Sequence, residues 1–224
     1  MTKNYKRVYI LAGHYGSGKT NIAVNLALKL KEEGFPVNIA DLDIVNPYFR
    51  TKDSALDLQK AGIRLISPTY ANTNVDLPAL PQEVYALVQQ KTAKAVFDVG
   101  GDDRGAYALG RYAPYILEEN DYEMCFVVNF FRPLTRTAKE AEEVMREIEL
   151  AGKIKFTAII NNSNLGALTD KESVLSSKAL VEELSKNTGL PILLTTVSPH
   201  LAKDFVGEGY LPLKLQEKYY DIKE

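Results

Sequence analysis

Short apolar runs alternate with longer helical patterns from one end of the 224-residue sequence to the other. The apolar runs predict strands at residues 8–12, 37–40, 63–66, 95–99, 125–128, 157–160 and 192–197. The segments between them predict helices at residues 20–33, 82–91, 105–118, 134–151 and 172–187. Strands that alternate with helices are typical of βαβ units. We therefore predict an α/β fold with a mostly parallel central sheet of about seven strands and helices on both faces.

The sequence offers no place for a second domain to begin. No long Ser/Gly/Pro linker, internal repeat or low-complexity block interrupts the series of strands and helices. A hydrophobic content of 46% is sufficient for a full core at this length. We therefore expect residues 1–224 to form a single domain.

Charge and composition narrow the classes of partner. The formal net charge is -2 and no run of five basic residues occurs, so nothing favours a nucleic-acid-binding surface. No stretch approaches the ~18 apolar residues of a membrane span, and the N-terminal residues do not resemble a signal peptide. The C-terminal segment 211–224 is too short and too acidic to form a membrane-binding amphipathic helix. We expect a cytoplasmic protein that binds neither nucleic acid nor membrane.

The sequence does not predict a zinc or iron–sulfur site. Its single cysteine, Cys125, lies inside an apolar run, where a thiol more often packs as a small buried hydrophobe. One cysteine with two histidines, His14 and His200, falls short of the four close nitrogen and sulfur ligands that structural zinc requires.

A glycine-rich loop follows the first predicted strand and precedes a helix. It fits the P-loop pattern of glycine, four residues, Gly-Lys and Ser or Thr, and consists of Gly13, His14, Tyr15, Gly16, Ser17, Gly18, Lys19 and Thr20. The glycines permit positive φ and close backbone approach, so that successive N–H groups can converge on phosphate oxygens. Lys19 would supply charge to the β and γ phosphates and the Thr20 hydroxyl would ligate Mg²⁺. The loop therefore predicts a site for a nucleoside triphosphate and Mg²⁺.

Carboxylates follow two other predicted strands. Asp41 and Asp43 end the second strand at positions i and i+2, so both side chains lie on one side of an extended chain. One of them could hold the water shell of the metal while the other orients or deprotonates a nucleophile. The alternative is that both cap a turn before residue 46. Asp98 ends the fourth strand and suits an outer-shell contact to Mg²⁺, and Gly101 could turn its N–H toward the γ-phosphate.

The P-loop, the paired aspartates and the Asp-x-x-Gly strand end, in this order, resemble the MinD/ParA/CobQ class of P-loop ATPases. The resemblance implies a catalytic or water-positioning role for Asp43 and metal-linked roles for Asp41 and Asp98. It also implies that Asn161, in the segment Asn-Asn-Ser-Asn, contacts the purine, and that the loop with Ser198 and Pro199 closes over the base. Asn161 could equally cap a helix or turn.

The sequence departs from that class at one position. Members with the deviant P-loop carry a second lysine just after the first glycine, where this chain has His14. A histidine is shorter than lysine and only partly charged at neutral pH, so it cannot simply take over the role. Arg104, Arg132 and Arg136 follow predicted strand ends and could supply positive charge. The guanine-specific pattern Asn-Lys-x-Asp is absent, which favours ATP over GTP.

Three functions are compatible with these residues. The first is a nucleotide-dependent switch that hydrolyses ATP slowly, docks a protein partner through a surface near Tyr48, Phe49 and Arg50, and could form a nucleotide-dependent homodimer. These three residues could equally pack on the protein's own helices. The second is an ATP-dependent small-molecule kinase or amide ligase. The third is a module that binds nucleotide without turnover. We favour the switch.

Overall fold

The computed structural model describes residues 5–43, 51–67, 82–101, 103–207 and 209–215. The proposed docking residues Tyr48, Phe49 and Arg50 lie outside these ranges.

Eight strands form one sheet. They are β1 (Val8–Ala12), β2 (Val37–Asp41), β3 (Arg64–Ile66), β4 (Lys94–Asp98), β5 (Tyr122–Val128), β6 (Ala158–Asn161), β7 (Ile192–Val197) and β8 (Tyr210–Pro212). Their order across the sheet is β3-β2-β4-β1-β5-β6-β7-β8, and every strand pair in the described residues is parallel. All the strands therefore end at the same edge of the sheet.

Helices connect the strands. They are α1 (Lys19–Glu32), α2 (Ala55–Lys60), α3 (Glu83–Gln89), α4 (Asp103–Gly110), α5 (Ala113–Glu119), α6 (Ala138–Gly152) and α7 (Lys171–Thr188). Single 3₁₀ turns occur at Thr51–Ser54, Gly166–Leu168 and Pro199–Leu201. None of the helices in the described ranges has the length and apolar character needed to cross a membrane.

The core has two halves because neighbouring residues of a strand point to opposite faces of the sheet. Ile10 of β1 and Phe97 of β4 belong to the cluster that packs against α3, α4, α5, α6 and α7. Leu11 and Val96, one position along the same strands, belong to the cluster that packs against α1 and α2. The predicted α/β fold with helices on both faces is confirmed.

The structure corrects the prediction in several details. The sheet has an eighth strand, β8, at its edge, with only three residues and a proline at its end. The helix predicted at 105–118 is two helices, because the chain turns before Pro114. The helix predicted from residue 134 begins at Ala138, where the Thr137 and Glu140 side chains cap each other's backbone N–H groups. The short helix α2 was not predicted.

Candidate functional site

The loop between β1 and α1 requires its glycines. Gly16 and Gly18 have φ of 75° and 91°, in the left-handed region that other residues avoid. A Cβ on Gly18 would lie 2.1 Å from Nδ2 of Asn162, and one on Gly13 would lie 2.2 Å from the carbonyl oxygen of Val127. The loop is therefore packed directly against the ends of β5 and β6, with no room for side chains at these two positions.

Lys19 begins α1 and folds back over the loop. Its side chain is only 7% exposed, and Nζ donates a hydrogen bond to the carbonyl oxygen of His14 at 3.2 Å. The same ammonium lies near the Asp98 carboxylate, whose charge it stabilises. It would also lie 3.0 Å from a Cβ added to Gly101. The only positive charge of the loop is thus held at the junction between the loop and the end of β4.

Two buried carboxylates end neighbouring strands, and one of them, Asp98, lies near this lysine. Asp41 and Asp98 are register partners on β2 and β4, and each is 1% exposed. Burial raises the pKa of Asp98 to about 6, although Lys19 and hydrogen bonds from the hydroxyls of Thr20 and Thr51 oppose the shift. The Thr51 Oγ1 to Asp98 Oδ2 distance is 2.8 Å. The structure therefore brings Thr20, Asp41 and Asp98 to one edge of the sheet.

These oxygens could bind a hard cation only together with other ligands, such as waters and phosphate oxygens. Within the described residues, no group of three or more His, Cys, Asp or Glu side chains could hold a metal ion. Mg²⁺, however, is commonly bound by one or two protein oxygens together with waters and substrate phosphates. A hydroxyl and nearby carboxylates next to a loop with the P-loop pattern suit that mode of binding.

Asp43 follows β2 and approaches the loop after β4. Its backbone N–H donates to Oδ1 of Asp41 at 2.9 Å, which fixes the chain just beyond the strand. Its own Oδ1 would lie 3.3 Å from a Cβ added to Gly100. Gly101 in turn packs against the P-loop, since a Cβ there would lie 2.6 Å from the backbone nitrogen of Tyr15. The P-loop, the chain after β2 and the chain after β4 therefore lie together at one edge of the sheet.

A cavity of about 300 Å³ opens beside the loop. Its lining consists of Tyr15, Gly16, Gly18, Lys19, Thr20, Asn21, Asp43, Arg132, Asn162, Asn164, Leu213 and Leu215. A smaller cavity of about 20 Å³ shares Asn162, Asn164, Leu213 and Leu215 with it and reaches Ser198. Pro199 lines neither cavity. Together they form a cleft that runs from the P-loop toward the loop after β7.

The expectation for Asn161 is revised. Its side chain is buried, donates to Ser177 Oγ of α7 at 2.9 Å and accepts from Ser163 Oγ at 2.7 Å, so both ends of the amide are used away from the cleft. Its neighbour Asn162 faces the P-loop instead and donates from Nδ2 to the carbonyl oxygen of Ser17 at 2.6 Å. Thr196 of β7 donates to Oδ1 of Asn162.

The strand alternation contains the signal that places Asn162. Ile159 of β6 packs on the face covered by α6 and α7, and Ile160 packs on the face covered by α1. Asn161 must then point toward α7, and Asn162 toward the P-loop at the start of α1. Asn164, two residues further, lines the same cleft.

The remaining basic residues are distributed unevenly. Arg104, Arg132 and Arg136 are all exposed, and of the three Arg132 alone lines the cavity. His14 also lies outside the lining, and its Nδ1 is 3.0 Å from the carbonyl oxygen of Tyr15. Of the groups considered as sources of positive charge, the structure brings Arg132 to the site.

No protein-family profile and no curated protein matches the sequence. Solved structures do match the fold. The cell division protein FtsY from Thermotoga maritima is 17% identical with a TM-score of 0.61, covering 86% of this chain and 62% of its own. FtsY from Mycoplasma mycoides is 17% identical with a TM-score of 0.61, and the match covers 88% of this chain and 62% of FtsY.

The 54 kDa signal recognition particle protein from Aeropyrum pernix, solved in complex with GDP, is 16% identical with a TM-score of 0.54. The match covers 87% of this chain and 42% of the Aeropyrum protein. The present chain thus spans about three fifths or less of the length of these neighbours. Identity at this level identifies the fold alone: the chain has the α/β fold of the P-loop nucleotide-binding proteins.

Proposed function

We propose that the chain binds Mg·ATP in the cleft beside residues 13–20 and acts as a nucleotide-dependent switch that hydrolyses ATP slowly. The observation that carries this proposal is the meeting of Lys19 with Asp43 and Asp98 beside a cavity that the P-loop lines. The MinD/ParA/CobQ resemblance of the sequence supports the same activity.

Each residue has a role in this proposal. Backbone N–H groups of residues 13–20 and the N-terminus of α1 hold the phosphates, and Lys19 neutralises their charge. Thr20, with Asp41 and Asp98 acting through water, would hold Mg²⁺, which when bound neutralises charge on the phosphate oxygens. Asp43 orients the attacking water.

ATP is proposed over GTP because of the residues at the end of β6. The segment 161–164 is Asn-Asn-Ser-Asn, which lacks the lysine and aspartate of the guanine-specific pattern. Asn162 and Asn164 line the part of the cleft that leads toward Ser198, where a base would lie beyond the phosphates. The GDP in the Aeropyrum structure makes GTP the necessary comparison.

The experiment measures nucleotide binding and turnover on the same samples. Titration calorimetry with Mg·ATP and Mg·GTP gives affinity, and release of the nucleoside diphosphate gives the rate. Lys19→Ala should weaken binding about 10- to 100-fold, because it removes charge-assisted hydrogen bonds worth ~1.5–3 kcal/mol. Asp43→Asn should keep the affinity and lower the rate about 100-fold or more.

Lys29→Ala is the matched control, since it removes the same charge from the last turn of the same helix. It should leave both quantities unchanged. Size-exclusion chromatography with a non-hydrolysable ATP analogue then tests for a nucleotide-dependent dimer. Absence of nucleotide binding by the unmodified protein would overturn the proposal. ADP release that requires an added acceptor metabolite would replace the switch with a kinase or ligase.

A further inference from the structure

The positive charge that lines the cleft comes from two residues. Among the lining residues in the described part of the chain, Lys19 and Arg132 are cationic and Asp43 is anionic. A nucleoside triphosphate with Mg²⁺ spreads developing negative charge over the transferred phosphoryl group during reaction. Lys19 alone cannot balance that negative charge, because carboxylates lie nearby. The second cation, Arg132, could balance the rest.

Arg132 lies directly over the P-loop. Its Nε and Cδ would be 3.6 and 3.7 Å from a Cβ added to Gly16. The absence of a side chain at Gly16 therefore leaves open the space between the loop backbone and the guanidinium. The arginine approaches the cleft from the end of β5, whereas Lys19 approaches it from α1 beside the end of β4.

A tight turn holds Arg132 in this position. The buried Asn129 accepts the N–H of Phe131 at its Oδ1, and its carbonyl oxygen accepts both the N–H of Arg132 at 3.1 Å and the hydroxyl of Thr135 at 2.8 Å. Asn129 Nδ2 also donates to the carbonyl oxygen of Asn164 at 3.1 Å. The turn that carries Arg132 is thus tied to the neighbouring loop of the cleft.

The guanidinium of Arg132 is available for a ligand. Within the described residues no carboxylate pairs with it, and no hydrogen bond occupies it. Two other arginines are used structurally: Arg7 pairs with Glu119, and Arg146 pairs with Glu142 and Glu149. A planar guanidinium with free donors over a P-loop matches the oxygens of a phosphate in geometry as well as charge.

We propose that Arg132 is a second phosphate-binding residue of this site, which donates from its guanidinium to the polyphosphate of the nucleotide held by the P-loop. This inference rests on the proposed function. Because the bonds that hold the turn all come from this chain, Arg132 acts within its own chain and needs no partner to bring it into place. It supplies the charge that His14 does not bring to the cleft.

The test compares Arg132→Ala and Arg132→Lys with Arg136→Ala, which removes an arginine four residues away that does not line the cleft. Calorimetry with Mg·ATP measures affinity, and thermal unfolding without nucleotide checks the fold. Arg132→Ala should weaken Mg·ATP binding about 10-fold or more. Arg132→Lys should restore part of the loss, because lysine keeps the charge and loses the fork geometry.

Arg136→Ala should bind within twofold of the unmodified protein, and all three variants should keep its unfolding temperature without nucleotide. Binding by the unmodified protein together with unchanged binding by Arg132→Ala overturns this inference and leaves the proposed function standing. An equal loss in Arg136→Ala overturns it as well, because the effect would then reflect general surface charge. Failure of the unmodified protein to bind any nucleotide overturns both proposals.

Discussion

Gly18 shows how one residue type serves both backbone conformation and contact. It has φ of 91°, and a Cβ there would collide with Nδ2 of Asn162, which holds the carbonyl oxygen of Ser17. Gly189, which ends α7, has φ of 74° with no atom within 4 Å of an added Cβ. Both glycines have a positive φ, but only at Gly18 would an added Cβ collide with a neighbouring side chain.

Gly18→Ala and Gly189→Ala therefore separate strain from collision. Gly189→Ala should lower the free energy of unfolding by about 1–2 kcal/mol, the cost of a left-handed alanine. Gly18→Ala should lower it further and abolish Mg·ATP binding, because the loop must move away from Asn162. Urea unfolding and calorimetry measure the two effects. If both variants lost the same stability and both still bound nucleotide, the close packing of Gly18 against Asn162 would be contradicted.

Single residues were predictable where their chemistry fixes their position. The pattern of residues 13–20 placed Lys19 and Thr20 between β1 and α1, and strand ends placed Asp41, Asp43 and Asp98 at the same edge. Asn161 was assigned by resemblance to a motif. The structure uses its amide to hold Ser163 and Ser177, because strand alternation directs it away from the cleft.

Periodicity predicted the strands and the long helices but not the turns between them. The turn after β5 depends on bonds that Asn129 makes to Phe131 and Thr135, which follow it, and to Asn164, 35 positions away. Leu134 in that turn has φ of 65°, a conformation that no residue-type preference indicates. The start of α6 and the placement of Arg132 follow from this turn, so neither could be derived from apolar spacing.

The end of α6 has an unusual backbone conformation that a substitution can test. Lys153 ends the helix with φ of 54°, where glycine is the preferred residue, and its side chain is exposed. Lys153→Gly should raise the free energy of unfolding by about 0.5–1 kcal/mol, since relief of the left-handed strain exceeds the added chain entropy of glycine. Urea unfolding gives the value.

The matched control is Lys178→Gly, at an exposed position inside α7. Glycine in a helix interior should lower the free energy of unfolding by about 0.8–1 kcal/mol. Opposite signs for the two substitutions would support the assigned conformation at Lys153. Destabilisation by both would contradict it.

The site depends on the order of strands in the whole molecule. β1 lies between β4 and β5, so the P-loop is flanked by Asp98 on one side and by the Arg132 turn on the other. β6 follows β5 and brings Asn162 and Asn164 to the same edge. In the sequence, β2 and β3 separate β1 from β4, although β1 and β4 are neighbours in the sheet. The alternating pattern therefore predicts a parallel sheet but not which strands lie side by side. That order comes from packing between distant segments.

The two halves of the core test whether the chain unfolds as one unit. Phe97 and Leu30 are fully buried on opposite faces of the sheet, and Leu150 is 82% exposed on α6. Phe97→Ala should lower the free energy of unfolding by about 3–5 kcal/mol and Leu30→Ala by about 2–5 kcal/mol. Leu150→Ala, the control, should change it by less than about 0.5 kcal/mol.

In a single domain, strands shared by both clusters couple the two faces, so each buried substitution should shift the same cooperative transition. Urea unfolding followed by far-UV circular dichroism and by tyrosine emission provides two probes, since the chain has 13 tyrosines and no tryptophan. Coincident transitions with an unchanged slope against urea are expected for all variants. If Leu30→Ala splits the unfolding curve while Phe97→Ala shifts it whole, the α1 face unfolds separately. ATP bound at the proposed site, which spans the start of α1 and the ends of β4 and β5, would then stabilise only part of the protein.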